Sequence, residues 1–343
     1  MEEPPPFPCT PTGLKTGAHL RPPRRPRIND RLRCSQGTPM RTFANLSIDI
    51  GALMDTSHSG TTCTDSVTNQ EQHVVRDQHS KVFLGNPVKG IPVAIKRIHA
   101  NTPERRMKAA QETEAHKAMK HKNIPRILEV HQDEKFIYLI MEYVDGADLF
   151  QVLEDREYVP FREADIREFL FRVSRAIYYC HRNGYSHGDI KLENIMVDSS
   201  RTPRLIDFGL STRIKEKDKL SSSFSGTSDY ACPQILLTQP YIQTKADVWA
   251  LGVVIFTVVT GHIPFCRDQK EALIPCGQHP QILWRQGPTL SKEFKQLMEG
   301  MLKIDQNERL SMGQVVRHSW FAAARRAEFI PYRSSVRGSI NVL

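Results

Sequence analysis

The chain has 343 residues, 39% hydrophobic and 25% charged, which supplies apolar material for a large core and excludes a wholly disordered chain. Its 47 Lys and Arg against 38 Asp and Glu leave a formal charge of +9; an excess this mild and diffuse suits acidic ligands such as phosphates and predicts no specific nucleic-acid partner. No run reaches the ~20 apolar residues of a membrane helix, and the most apolar stretch, Val248 to Val259, is broken by Gly252 and Thr257, as befits a buried core helix.

In chain order, residues 1–70 read as a disordered arm. The first part carries PPPFP and RPPRRPRINDRLR, the second the Ser/Thr-rich DTSHSGTTCTDSVTN, and neither holds a helical or strand period. Residues 1–33 contain seven Lys or Arg against three Asp or Glu, consistent with a localisation signal, an anionic-surface contact or a solvated tail. The acidic, Pro-rich start has no apolar h-region, so no secretory signal is expected. Seven scattered cysteines without a CxxC pair predict reduced thiols in a cytoplasmic or nuclear protein.

From about 71 the pattern is globular. Lys81–Leu84, Val93–Ile98 and Phe136–Tyr143 read as strands, the first two joined across Gly85 to Gly90. Pro103–Lys120 reads as a helix with Pro in its first turn. Ile166, Phe169, Leu170, Val173, Ala176, Ile177 and Cys180 recur at helical spacing, and 246–260, 291–302 and 311–318 read as further helices. A small strand-rich part followed by a larger helical part is an α+β arrangement with a cleft between two lobes. Residues 322–343 form a short basic tail.

The informative stretch is YSHGDIKLENIMVDSSRTPRLIDFGL, Tyr185 to Leu210. It sets Asp189, Lys191 and Asn194 in one loop and Asp207-Phe208-Gly209 soon after, with short strands Ile195–Val197 and Arg204–Ile206 between. Phosphoryl transfer needs these types: a carboxylate to orient the attacking hydroxyl, hard oxygen ligands for Mg2+, and a cation to offset charge on the moving group.

These residues resemble the eukaryotic protein kinase family. HGDIKLEN is similar to the catalytic loop HRDLKxEN, DFG is intact, and VAIK (Val93 to Lys96) is similar to the third strand of the small lobe. Glu112 precedes HKNI at the spacing of the helix-C glutamate. GTSDYACPQ, DVWALGV and NERLSMGQVVRHSWF resemble the later motifs, all in order over about 250 residues.

The resemblance implies a two-lobed protein kinase fold over 71–321, with a small β-rich N-lobe (71–143) and a larger helical C-lobe (144–321). It implies a monomeric Ser/Thr protein kinase acting on protein substrates, with ATP and Mg2+ as cofactors. Asp189 would be the catalytic base and Lys191 would touch the γ-phosphate. Lys96 would contact the α- and β-phosphates and pair with Glu112. Asn194 and Asp207 would hold the metal. Val82 and Ala94 fall at nucleotide-lining positions, Met141 at the gatekeeper, and Glu142 and Tyr143 in the adenine-binding hinge. Lys191 and Thr227 resemble the Ser/Thr branch, and the wider pattern resembles the calmodulin-dependent and AMP-activated groups. Asp148 and Glu193 fall where basophilic relatives bind the ribose and substrate arginines; Thr257 stands where some relatives carry a third acid, and ordinary surface carboxylates are the alternative.

Four departures from the family matter. Val75, Asp77 and Ser80 stand where glycines of the Gly-rich loop belong, which predicts weakened nucleotide binding. Gly188 replaces the catalytic-loop arginine, so phosphate on the activation loop, with Ser223 at the usual site, has one cation fewer to meet. Gln234 replaces a glutamate whose partner is Arg309, and His116 replaces an apolar residue on helix C, where it either loosens the helix or is satisfied by a neighbour. These departures keep open the alternative of a pseudokinase acting as a regulatory scaffold.

Overall fold

The computed structural model describes residues 80–85, 91–214, 220–221, 228–265, 281–284 and 289–329. The expected arm, Val75, Asp77, Gly90, Ser223 and Thr227 lie outside these residues. Strands β1 (Ser80–Gly85), β2 (Val93–His99), β3 (Ile127–Gln132) and β4 (Phe136–Glu142) form an antiparallel sheet of order β1-β2-β4-β3. Alternation gives β2 two working faces. Val93 and Ile95 pack with Tyr138 and Ile140 on one. On the other, the cross-strand rows Val82–Lys96–Leu139 and Leu84–Ala94–Met141 face the cleft, while Ile98, Ile137 and Leu139 pack on Ala109 of helix α1 (Pro103–Ala118). Thr102 caps α1 by accepting from the Arg105 amide at 3.3 Å, with Pro103 at its first position. Two expectations shift here: Gly85 is a ladder residue opposite Val93, not part of the turn, and Ser80 pairs with Ile98. Strand β3, which the sequence reading passed over, is an edge strand with charged residues and a register shift between Ile127 and Glu129.

After the connecting Tyr143–Asp145 segment, β5 (Gly146–Asp148) leads into α2 (Leu149–Asp155) and the long α3 (Glu163–Arg182). Short strands β6 (Tyr185–Ser186), β7 (Ile195–Asp198), β8 (Pro203–Leu205) and β9 (Thr212–Arg213) frame the loops that carry the candidate chemistry; β5-β7-β8 and β6-β9 are small antiparallel sheets. Then come β10 (Leu220–Ser221), α4 (Pro233–Leu236), β11 (Tyr241–Ile242), α5 (Gln243–Thr260), α6 (Lys292–Met301), α7 (Met312–Arg317) and α8 (Ala322–Phe329). Helix α5 is apolar all round and buried from Asp247 to Val259, the signature of a central helix. Leu170, Phe171 and Ile177 of α3, Leu251 and Phe256 of α5, and Phe294 and Met298 of α6 meet in one core. The segment expected to be a tail opens as α8, whose Ala324 joins that core. Among the described residues no helix is long and apolar enough to cross a membrane, and Cys180 and Cys232 are buried free thiols. The small sheet-based lobe and larger helical lobe make the expected two-lobed α+β architecture.

Candidate active site

The loop between β6 and β7 is fixed from below by one buried carboxylate. Asp247, in the first turns of α5, accepts from the backbone N–H groups of His187 (2.8 Å) and Gly188 (2.9 Å) and from His181 Nε2 (2.8 Å). Burial works to raise its pKa, but the hydrogen bonds it accepts, from His181 first and then the Gly188 N–H, win, so the group is held below the ordinary carboxylate range. His187 is fully buried, contacts Ile206 O through Nε2 at 3.1 Å and lies 5.0 Å from the Phe208 ring. Burial first of all keeps His187 neutral by lowering its pKa.

On this platform Asp189 Oδ2 accepts from Lys191 Nζ at 2.6 Å and Asn194 Nδ2 at 2.8 Å. Asn194 Nδ2 also donates to the Asp189 carbonyl at 2.8 Å. The amide N–H groups are thus committed, and Asn194 Oδ1 remains a hard oxygen donor with no partner among the described residues. Asp189 Oδ1 is likewise without one.

Across the cleft, Lys96 Nζ sits between Glu112 Oε1 (2.6 Å) and Asp207 Oδ1 (2.7 Å). Burial opposes the Lys96 charge, yet Asp207 and then Glu112 outweigh it and raise the pKa above its ordinary value. Burial would raise the Asp207 carboxyl, but Lys96 holds it down at about 2. Asp207 has φ 64, an uncommon backbone state for a residue with a side chain and one that gathers at functional sites. Its Oδ1 also accepts from the Gly209 N–H at 3.0 Å. A Cβ on Gly209 would lie 3.1 Å from Asp207 Oδ1 and 3.4 Å from Glu112 Oε2, so the missing side chain lets the backbone approach the ion cluster.

The donor set suits a metal-chelated triphosphate. Asp207 Oδ2 and Asn194 Oδ1 are hard oxygens, and Mg2+ takes one or two such protein ligands beside substrate phosphates. Among the described residues no group of three or more His, Cys, Asp or Glu forms a closed metal cage. Lys96 has three N–H donors, two of them engaged, which leaves one for a phosphate oxygen.

The other sequence candidates fall as follows. Val82 and Ala94 lie in the two cross-strand rows facing the cleft, and Met141 ends the second row. Glu142 is held by Arg126: the guanidinium reaches Oε1 at 2.6 Å and the two backbones pair, Glu142 N to Arg126 O at 3.0 Å. Its side chain is therefore committed away from a ligand. Tyr143 lies in the connecting segment, partly buried. Asp148 caps α2, accepting from the Gln151 N–H at 2.8 Å, a structural duty readable from an Asp just before the apolar LFQVL run. Glu193 Oε2 is shut from solvent with no hydrogen-bond partner. Thr257 turns inward on α5 and bonds Val253 O at 2.8 Å, so it contributes nothing to the cleft.

The departures have local solutions. His116 donates through Nε2 to Pro125 O at 2.7 Å and stacks on Phe208 with centroids 4.7 Å apart; burial pushes its pKa down to about 4, so it is a satisfied neutral ring. Gln234 accepts from Arg309 Nη2 at 2.9 Å and donates to Ile304 O at 2.7 Å. Gly188 has φ 80, and a Cβ there would meet Leu210 O at 2.4 Å. Sequence reasoning gave no role to Asp247, His187 or Gly209. The DVW and HGD motifs flagged the first two, but their contacts join α5 to a loop 60 residues away.

Comparison with known proteins bears on the same residues. The protein kinase domain family matches residues 70–321. Dictyostelium discoideum "Probable serine/threonine-protein kinase MARK-C" is 34% identical over 234 residues, 66% of this chain and 30% of that protein. Human NUAK family SNF1-like kinase 1 is 33% identical over 213 residues, 61% of this chain and 31% of its own length. Mouse sperm motility kinase 2B is 35% identical over 203 residues, 58% of this chain and 40% of that protein. The chain thus spans less than half the length of these relatives. With the motifs in order, the ion cluster in the cleft and a family match across both lobes, the chain belongs to the eukaryotic serine/threonine branch of the protein kinase family.

Proposed function

We propose that the protein transfers the γ-phosphoryl group of Mg·ATP to Ser or Thr hydroxyls of protein substrates. The observation that carries this is that Lys96 and Glu112 of the small lobe meet Asp207 of the large lobe, beside the Asp189–Lys191–Asn194 cluster, with the Ile206 N–H next to Asp207 donating to Asn194 O at 3.0 Å. Glu112 orients Lys96 toward the phosphates. Asp189 Oδ1 positions the substrate hydroxyl and takes its proton as the new O–P bond forms and the β–γ bridge breaks. Lys191 holds Asp189 and offsets charge on the moving group. Asn194 Oδ1 and Asp207 Oδ2 would hold Mg2+, which when bound neutralises phosphate charge. Val82, Ala94 and Met141 would line the adenine, with the Glu142 and Tyr143 backbone beside it.

Glu193 supports a preference for basic residues in the substrate. A shielded acceptor without a donor is costly, and an incoming guanidinium would satisfy it. Asp148 would add charge at the same side of the cleft while capping α2. A monomer acting in the cytoplasm or nucleus accords with this reading.

The test is transfer of label from γ-labelled ATP to Ser peptides with and without upstream arginine, beside Lys96→Met and Asp207→Asn. Transfer that vanishes in both variants and favours the arginine peptide is expected. No transfer by the unaltered chain would refute the enzyme reading and leave a pseudokinase scaffold.

A further inference from the structure

Helix α1 must be held in place for Glu112 to meet Lys96, and it has little apolar material with which to do so. Its buried residues are Ala109, Ala115, Glu112 and His116, and its one large aliphatic side chain, Met107, is 59% exposed. Its apolar anchoring is light: Ala109 lies against the sheet, Ala115 in the large core, and the His116 ring on Phe208. Contacts this small bury little area, so polar ties add direction. Several reach the small lobe or its margin: Arg106 donates to Glu134 O at 2.8 Å, and His116 to Pro125 O at 2.7 Å.

A further polar tie runs to the large lobe. Glu114 lies two residues beyond Glu112, a rise of about 3 Å along the helix. Its Oε1 accepts from the Tyr185 hydroxyl at 3.2 Å and from Arg213 Nη1 at 3.1 Å. Tyr185 and Arg213 are cross-strand partners in the β6–β9 pair. That pair brackets both functional loops, since β6 runs into His187 and Asp189 while β9 follows Asp207 and Gly209. Tyr185 is buried, and burial followed by the Glu114 contact pushes its hydroxyl above the ordinary phenol range, so it stays a donor. Arg213 is largely exposed, as is Glu114, and an exposed ion pair by itself contributes little. The Tyr185 hydroxyl, carried on a buried side chain, is the directional member, and one oxygen serves both donors.

We infer that Glu114 is a positioning residue: through Tyr185 and Arg213 it clamps helix α1 to the β6–β9 pair and so keeps Glu112 on Lys96. This rests on the kinase reading only for its effect on turnover; the clamp itself is a property of the chain. It requires no phosphate, because the anion that bridges the lobes is a carboxylate of α1.

The experiment compares the full chain with Glu114→Ala, Tyr185→Phe and the double variant, by peptide phosphorylation, thermal unfolding and hydrogen exchange of α1. Glu114→Ala is expected to lower kcat/KM for ATP about fivefold to tenfold and Tyr185→Phe about threefold. The double variant should be no worse than Glu114→Ala, since both remove the same link. Amides of Pro103–Ala118 should exchange faster while those of α3 and α5 stay protected, with the melting temperature little changed. The swap Glu114→Arg with Arg213→Glu should recover part of the activity through the restored charge pair. Unchanged exchange of α1 in Glu114→Ala overturns the inference, as does a rise of equal size in α3 and α5, which would mean general destabilisation. If the unaltered chain transfers no phosphoryl group, the kinase reading fails, and the exchange data still decide the role of Glu114.

Discussion

Replacing Asp247 by Asn tests whether the candidate catalytic loop depends on a charge buried beneath it. The carboxylate accepts three hydrogen bonds: Oδ2 from His181 and the His187 N–H, Oδ1 from the Gly188 N–H. An amide presents one oxygen, so either rotamer turns an NH2 group toward at least one backbone donor. The variant loses the charge assistance, about 1.5–3 kcal/mol for a bond to an ion, and strands a buried donor at about 1–3 kcal/mol. With Asp247 2% exposed, solvent cannot make up the loss, and a net cost of about 3–5 kcal/mol follows. For a domain of this size that is a fall in melting temperature of roughly 10 °C. The loop would also lose its register beneath Asp189, and misplacement of a catalytic group by about 1 Å can cost ~100-fold in turnover. Because the folded pKa of Asp247 is depressed, its contribution is present above the ordinary carboxylate pKa and is lost as pH falls below about 4. Asp247→Asn should therefore unfold with a weaker acid dependence. Urea unfolding and peptide phosphorylation check both parts. A variant within about 1 kcal/mol of the parent chain and within threefold of its turnover would refute the anchoring argument.

Two further outcomes follow from the substituted positions. His116 is held neutral with its pKa pushed to about 4, so the unfolded chain binds its proton more tightly. Stability should fall by roughly 3 kcal/mol as pH drops from about 6.5 to 4, and His116→Met should flatten that slope while costing about 1–2 kcal/mol at pH 7 for the stranded Pro125 carbonyl; equal slopes in thermal melts would contradict it. Gly188→Arg should destabilise by roughly 2–4 kcal/mol, from the left-handed backbone and the Leu210 carbonyl 2.4 Å from the new Cβ. A melting temperature equal to that of the parent chain would show that the loop gives way more easily than its geometry implies.

The architecture was legible where residue pattern and local chemistry agree. The apolar run of α5 and the helical spacing of α3 are strong one-dimensional signals, and both helices form, over Gln243–Thr260 and Glu163–Arg182. The strands around Lys96 were visible because Val93–Ile98 and Phe136–Glu142 are rich in β-branched and aromatic residues. Strand β3 was passed over because Glu129, His131 and Gln132 interrupt its apolar pattern at a sheet edge. Local motif spacing could suggest that Lys96, Glu112 and Asp207 belong together, but not that Asp207 needs a positive φ or that Gly209 must lack a side chain. Contacts made by atoms far apart in the chain were beyond reach. Asp247 under Gly188, Glu114 on Tyr185 and Arg126 on Glu142 join segments whose sequences carry no sign of one another.

The substituted positions share a physical pattern. Where the family pattern has a charge at Gln234, this chain has an amide that accepts from Arg309 and donates to Ile304 O. Where it has an apolar side chain, His116 ties the end of α1 to the Pro125 carbonyl and still stacks on Phe208. Where it has an arginine, Gly188 offers only backbone, and its N–H is spent on Asp247. In each case a hydrogen bond with a largely buried partner stands in the place of an ionic or apolar contact: His116 to a backbone carbonyl, Gln234 from Arg309, and the Gly188 N–H to the Asp247 carboxylate. Such bonds are short-ranged and insensitive to salt, unlike exposed ion pairs screened within about 8–10 Å. Among the described residues, ionic links join the sheet and α1 to the large lobe: Lys96, paired with Glu112, to Asp207, and Glu114 to Arg213. The first cluster is largely shielded and the second is exposed. Added salt should therefore loosen the Glu114 clamp before it disturbs the Lys96 cluster, so that faster exchange in α1 precedes any loss of the folded large lobe.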